Sequence, residues 1–157
     1  MEAPEEAELR FGCGMNCAQA VLTVFCSDLG LRERIALKLA APFGGGMGRR
    51  CQTCGAVTGG LMVLGLRFAD PDPSNKEAKK KLLEITQKFL DVFKEREGAL
   101  GCRDLLGIDI GTEDGQRKAK EEDLFHRRCP RFVRTSAEIM EEILNEAEVT
   151  SKSRKES

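Results

Sequence analysis

The sequence predicts an all-α fold, a single-domain helical bundle of about five to seven helices, and three observations carry that prediction. Apolar residues recur at three-and-four spacing in segment after segment, while no alternating strand pattern stands out. Cap and breaker residues (Asn16, Gly30, Pro42, Asp70 to Asn75, Gly98 and Gly107) fall between those segments, where helices should start and stop. At 157 residues with 41% apolar content, the chain can build one core. That core must be largely aliphatic, because the aromatic complement is eight Phe with no Trp or Tyr.

Taken in order, the chain opens on an acidic stretch, MEAPEEAELRF, which lacks the basic region and apolar run of a secretory signal. Asn16 caps a helix predicted to run to about Leu29, with Ala18, Val21, Leu22, Phe25 and Leu29 on its apolar face. A second helix, about Leu31 to Ala41, ends at Pro42 and a glycine run. Thr53 is the expected cap of a third, from Cys54 to about Phe68; it is apolar nearly all round and therefore predicted to be central. After the break at Asp70 to Asn75, Lys76 to Glu97 forms a long amphipathic helix with Leu82, Ile85, Phe89, Val92 and Phe93 inward. Cys102 opens a short helix closed by Gly107, and a further helix is expected near Arg117 to His126. Cys129-Pro130 is predicted to begin the last helix, because proline suits a first helical position. Residues 1–146 are thus expected to form the folded, cysteine-rich domain, and 147–157 a flexible, solvated tail.

Composition excludes several function classes. A formal net charge of -1 provides no field for DNA or anionic lipid, and base-stacking aromatics are scarce, so no nucleic-acid partner is expected. The apolar run GGLMVLGL is far short of the roughly 20 residues of a membrane span, so no membrane partner is expected either. These readings point to a cytoplasmic protein. In that reducing compartment seven cysteines point to metal or redox chemistry before structural disulfides.

The stretch GGGMGRRCQTCGAVTGG at residues 44–60 is where that chemistry concentrates. It lacks the Gly-Lys-Ser/Thr ending of a nucleotide loop, and a helix, not a strand, precedes it. Covalent haem needs Cys-x-x-Cys-His, but Cys51-Gln-Thr-Cys54 is followed by Gly55, and the only histidine, His126, reads as a surface residue. Thiol chemistry is the stronger pattern. Cys17, Cys54, Cys102 and Cys129 all fall at predicted helix starts, where free N–H groups and the helix dipole favour thiolate. Arg49, Arg50, Arg103, Arg127 and Arg128 lie nearby in sequence and push the same way. Gly55 and Gly59, four apart, give the third helix a smooth face on which another helix can approach Cys54, and the GGGMG loop is expected to fold over the same spot with N–H groups inward. Cys26 reads as core packing, whereas Cys13 and Cys51 are candidate resolving or accessory thiols.

The segments NCAQAV at 16–21, FGGGMGRRCQTCGAVTGGLMVLGL at 43–66, CRDLLGIDI at 102–110 and the late Cys129-Pro130 together resemble the C_GCAxxG_C_C family of small bacterial and archaeal proteins. The likeness runs from about residue 11 to 145. It implies an α-helical domain with redox activity, and it carries the family's four cysteines onto Cys17, Cys54, Cys102 and Cys129. Those four are therefore the candidate catalytic residues, and equally the candidate metal ligands. Gly55, Gly59 and Arg49 are the candidate cofactor-binding residues. Two chemistries stay open: dithiol–disulfide exchange, led by Cys54 with Cys17 resolving and Cys102 with Cys129 as a second pair, or electron transfer through an iron–sulfur cluster on all four thiolates. A zinc- or metal-binding sensor or interaction module is the non-enzymatic alternative. A redox partner protein is expected, and the apolar third helix leaves room for a homodimer.

Overall fold

A proline at its start and two glutamates in its first turn make the acidic opening stretch a helix, one that apolar spacing did not announce: α1 (Ala3–Gly12). It buries Ala7 and lies along the last helix, to which the Ala3 N–H is also tied through Glu141 Oε1 at 3.0 Å. The computed structural model describes residues 1–155, and among these it is all-α, with eight α-helices and no strand. None of the described helices is long and apolar enough to cross a membrane.

Helix α2 (Cys17–Cys26) starts at its expected cap. Asn16 Oδ1 accepts from the Gln19 N–H at 2.9 Å, and Gln19 Oε1 accepts from the Asn16 N–H at 3.0 Å. The same two side chains reach outward: Asn16 Nδ2 donates to Ala41 O and Gln19 Nε2 to Leu37 O, which fixes α2 to the end of α3 (Glu33–Ala40). Helix α2 stops three residues before Leu29, in a turn through Gly30 at φ 79°. One 3-10 turn, Ala41–Phe43, follows α3 over Pro42.

Helix α4 (Gly55–Phe68) is buried on all sides through most of its first half, as predicted, whereas Leu66 near its end is 38% exposed. Its expected cap is corrected by one residue. Thr53 is taken up by an isolated antiparallel bridge to Gly101, so Cys54 sits at the N-cap. Helix α5 (Lys76–Glu97) has the predicted bounds, with Asn75 as cap; Phe89 and Phe93 are fully buried and Leu82, Ile85 and Val92 half-buried. The short α6 (Cys102–Leu106) also forms as predicted.

The charged segment divides differently from expectation. Thr112 Oγ1 accepts from the Gly115 N–H at 3.0 Å and starts α7 (Glu113–Glu121) earlier than Arg117. The chain then turns at Asp123, φ 52°, and α8 (Leu124–Lys155) begins five residues before Cys129. Cys129 therefore does not cap a helix, and Pro130 lies inside α8. The Cys-Pro signal is overridden because Leu124, Phe132 and Val133 are core residues on one continuous helix. That helix continues beyond Ala147, where a tail was expected; Thr150 and Ser151 hydroxyls donate to the carbonyls of Glu146 and Ala147 along it. Residues 156 and 157 of the expected tail lie outside the described residues.

Candidate functional site

Three local devices bring four distant cysteines to one place. The first is the bridge at Thr53 and Gly101, flanked by two hydrogen bonds: Cys54 N–H to Leu100 O at 2.9 Å and Cys102 N–H to Gln52 O at 2.7 Å. These bonds set the starts of α4 and α6 side by side. The second is the smooth face of α4. A Cβ added at Gly59 would lie 2.8 Å from Ala18 O, and one at Gly55 would lie 3.0 Å from Cys17 Cβ, so α2 sits as close as glycine allows. The third is the unbroken start of α8, whose second turn carries Cys129 into the same space.

The result is a half-open cavity of about 570 Å³, lined by Cys17, Cys54, Cys102 and Cys129 together. Each of the four is less than a tenth exposed, between 3% and 9%. All seven cysteines are free thiols. Gly55 and Arg49 also line the cavity, whereas Gly59 is spent on the contact with Ala18 and does not. Cys13 is exposed outside it. Cys26 is buried in packing, its thiol donating to Thr23 O at 3.4 Å. His126 is at the surface with Nδ1 2.7 Å from Asp123 Oδ1.

Within the cavity the sulfurs are not equivalent. Cys17 shares hydrogen bonds with the thiols of Cys129 and Cys54, and these, with its burial, hold its proton on well above the ordinary thiol range. Cys54 is the opposite case. The hydrogen bond from Cys17 lowers its pKa, and the N–H groups of Ala56 and Val57 at the start of α4 add to that lowering, against the opposing effects of burial and of Glu97. Cys102 is pushed far up, chiefly by burial and then by the negative charge of Cys51 and Cys54 when these are ionised. The expectation that helix starts favour thiolate is thus corrected for Cys17 and Cys102. At both, desolvation and neighbouring sulfurs outweigh half a helix-dipole charge. Three of the five nearby arginines are engaged elsewhere: Arg103 pairs with Asp109, Arg127 donates to Glu122 O and Arg128 to Leu105 O.

Cys51 is the residue whose place the sequence left open. It is 5% exposed, its Sγ donates to Ile108 O at 3.5 Å, and its side chain hydrogen-bonds with Cys102. Cys102 therefore has Cys51 as its sulfur partner, and Cys129 has Cys17. The spacing Cys51-x-x-Cys54 is visible in the sequence, but not the left-handed loop that leads into Cys51. That loop runs with positive φ at Gly45, Gly46, Met47, Gly48 and Arg49 and again at Cys51. Left-handed backbone over five successive residues is open to this sequence because three of them are glycine. The N–H groups of residues 47–52 are all bonded to carbonyls of residues 42–47, so the inward-pointing N–H groups expected there do not form from that stretch.

No three His, Cys, Asp or Glu side chains among the described residues converge as a metal-binding group. The thiol of Cys17 adjoins those of Cys54 and Cys129 on the cavity wall, and Cys51, outside that wall, adjoins Cys102. The family model described as "Putative redox-active protein (C_GCAxxG_C_C)" matches residues 15–143, which include all four of the cavity cysteines. No curated protein and no solved structure matches the chain.

Proposed function

Since the chain belongs to the C_GCAxxG_C_C family of redox-active proteins, we propose that it carries out thiol–disulfide exchange in this cavity, with Cys54 attacking and Cys17 resolving. The observation that carries the reading is the glycine-limited crossing of α2 and α4, which puts Cys17 and Cys54 side by side on one cavity wall, where their contact lowers the pKa of Cys54 and raises that of Cys17. An attacking sulfur must be thiolate, and its partner must hold a proton to give to the leaving group.

One turnover balances as follows. The Cys54 thiolate attacks one sulfur of a disulfide R–S–S–R; that S–S bond breaks, RS⁻ leaves, and a Cys54–S–S–R mixed disulfide remains. The Cys17 thiol gives its proton to the departed thiolate, and its sulfur attacks Cys54 Sγ. The second RS⁻ leaves as the Cys17–Cys54 disulfide forms. The substrate gains two electrons and the protein dithiol loses two. Cys129, hydrogen-bonded to Cys17, steadies the proton during the first step, and Cys102 with Cys51 forms a second dithiol beside the first. Residues 1–146 act as the redox domain, in a reducing compartment such as the cytoplasm, where the resting thiols persist. The second chemistry that the sequence leaves open, an iron–sulfur cluster held by the same four thiolates, would need these side chains to draw closer together than they stand here, where no three converge.

Anaerobic purification followed by thiol titration, iron and acid-labile sulfide analysis separates the two. Metal-free protein that yields a Cys17–Cys54 disulfide on mild oxidation, mapped by peptide mass spectrometry, supports exchange. About one cluster's worth of iron and sulfide per chain, with the four thiols untitratable, overturns it. Stoichiometric zinc with no oxidisable dithiol overturns it as well and favours a metal-binding module.

A further inference from the structure

We infer that the cavity takes a small organic disulfide bearing a carboxylate, bound through Arg49, and does not act on disulfides at the surface of folded proteins; this rests on the exchange reading above. Two features of the site lead there. The reacting sulfurs are less than a tenth exposed at the wall of a cavity of about 570 Å³, within the range of small-ligand sites. A disulfide embedded in a folded surface cannot enter such a space, whereas a low-molecular-weight one can.

The second feature is charge. The cavity wall is otherwise mostly apolar or small, with Phe11, Leu105, Phe125 and Phe132 among its residues, and the amide of its Asn16 is engaged by Gln19 N–H and Ala41 O. No aspartate, glutamate or lysine lines it, and Arg49 is the one charged residue that does. Arg49 is exposed, which places it at the rim, and no carboxylate pairs with it among the described residues. The loop holds it there at φ 59°, its chain packed against Gly45. An unpaired guanidinium above an apolar cavity selects a ligand with an anionic end and an uncharged body, and a carboxylate matches its fork of donors. The carboxylate rests at the rim while the S–S bond reaches down to Cys54.

The test uses the reduced full-length chain and four probes: 3,3′-dithiodipropionate (anionic), 2-hydroxyethyl disulfide (neutral), cystamine (cationic) and insulin. Rates of Cys17–Cys54 disulfide formation are divided by each probe's rate with a free small thiol, which removes intrinsic reactivity. The anionic probe is expected to lead the cationic one by about tenfold, the size of one charge-assisted hydrogen bond. Arg49→Gln should abolish that lead, Arg49→Lys should keep most of it, and insulin should react least. Equal normalised rates for the charged probes on the wild-type chain overturn the inference without any variant, as does insulin reacting as fast as the small probes. The neutral probe keeps the two levels apart. If it forms no Cys17–Cys54 disulfide, the exchange reading fails; if it does and no charge preference exists, only the ligand class fails.

Discussion

Cys17 and Cys54 meet where α2 crosses α4 at glycine-limited distance, an added Cβ at Gly59 falling 2.8 Å from Ala18 O and 3.1 Å from Ala18 Cα. The atoms in the way are backbone, which cannot rotate aside. Gly59→Ala must therefore push α2 off α4 and carry Cys17 away from Cys54. We expect a loss of about 1–3 kcal/mol in urea unfolding, as for other overpacked cores. The pH midpoint of Cys54 alkylation should rise in the same variant. A destabilised protein with an unchanged midpoint would mean that the two thiols do not depend on this crossing.

Cys17→Ala removes the largest cause of the low Cys54 pKa while leaving the Ala56 and Val57 N–H groups in place. The midpoint of Cys54 carboxymethylation against pH should move up towards the ordinary thiol value of about 8.5, burial then being opposed only by those two N–H groups. Thr23→Val, a change elsewhere in α2, should leave it where it is in the wild type. Peptide mass spectrometry reads the modified site directly. A midpoint that does not move shows that the thiol hydrogen bond is not what activates Cys54.

Much of this was legible in the chain, and the residues show why. Asn16 and Gln19 announce the start of α2 because a capping box is local chemistry, and Asn75 with Gly98 brackets α5 for the same reason. The sequence places all four cavity cysteines at helix starts, yet only three lie there. Cys129 is interior to α8, since the apolar stripe from Leu124 to Val133 outweighs a local Cys-Pro signal. Helix α1 was missed because its stability comes from Ala7 packing on α8 and an ion-rich outer face, neither of which leaves a strong periodicity. The placing of Cys51, in place of Cys129, beside Cys102 was not legible. It follows from burial and from the left-handed loop that leads into Cys51.

Alkaline pH should destabilise the reduced protein. Cys17 and Cys102 have folded pKa values above those of the unfolded chain, so their stabilising contribution is present below the unfolded thiol value and fades as pH rises above it. Above about pH 8.5 the unfolded chain sheds protons that the folded one keeps, giving a slope of up to about 1.4 kcal/mol per pH unit for each such thiol. Cys54, with a lowered pKa, acts only below that range: its contribution is present above the unfolded value and is lost as pH falls through its folded one. Thermal melting under reductant from pH 7 to 10 should therefore show a falling Tm above about pH 8.5, with a shallower fall in Cys102→Ala. A flat profile in the wild type would contradict the buried, protonated state of both thiols.

The second pair of sulfurs gives a sharper test of how the cysteines are grouped. The Cys102 N–H is bonded to Gln52 O at 2.7 Å, so the residue after Cys51 is fixed against α6. Gly46 wedges between them: a Cβ there would lie 2.7 Å from Cys102 Cβ and 2.9 Å from the Cys51 carbonyl carbon. Together with the contact between their thiols, these contacts keep Cys51 beside Cys102, the neighbour a disulfide would need. In the Cys17→Ala/Cys54→Ala double variant, mild oxidation should therefore link Cys51 to Cys102 and leave Cys129 as a free thiol. Peptide mapping without reduction distinguishes this from a Cys102–Cys129 link. Finding the latter would show that the cavity cysteines outside the leading pair act on each other, and that Cys51 is only part of the wall behind them.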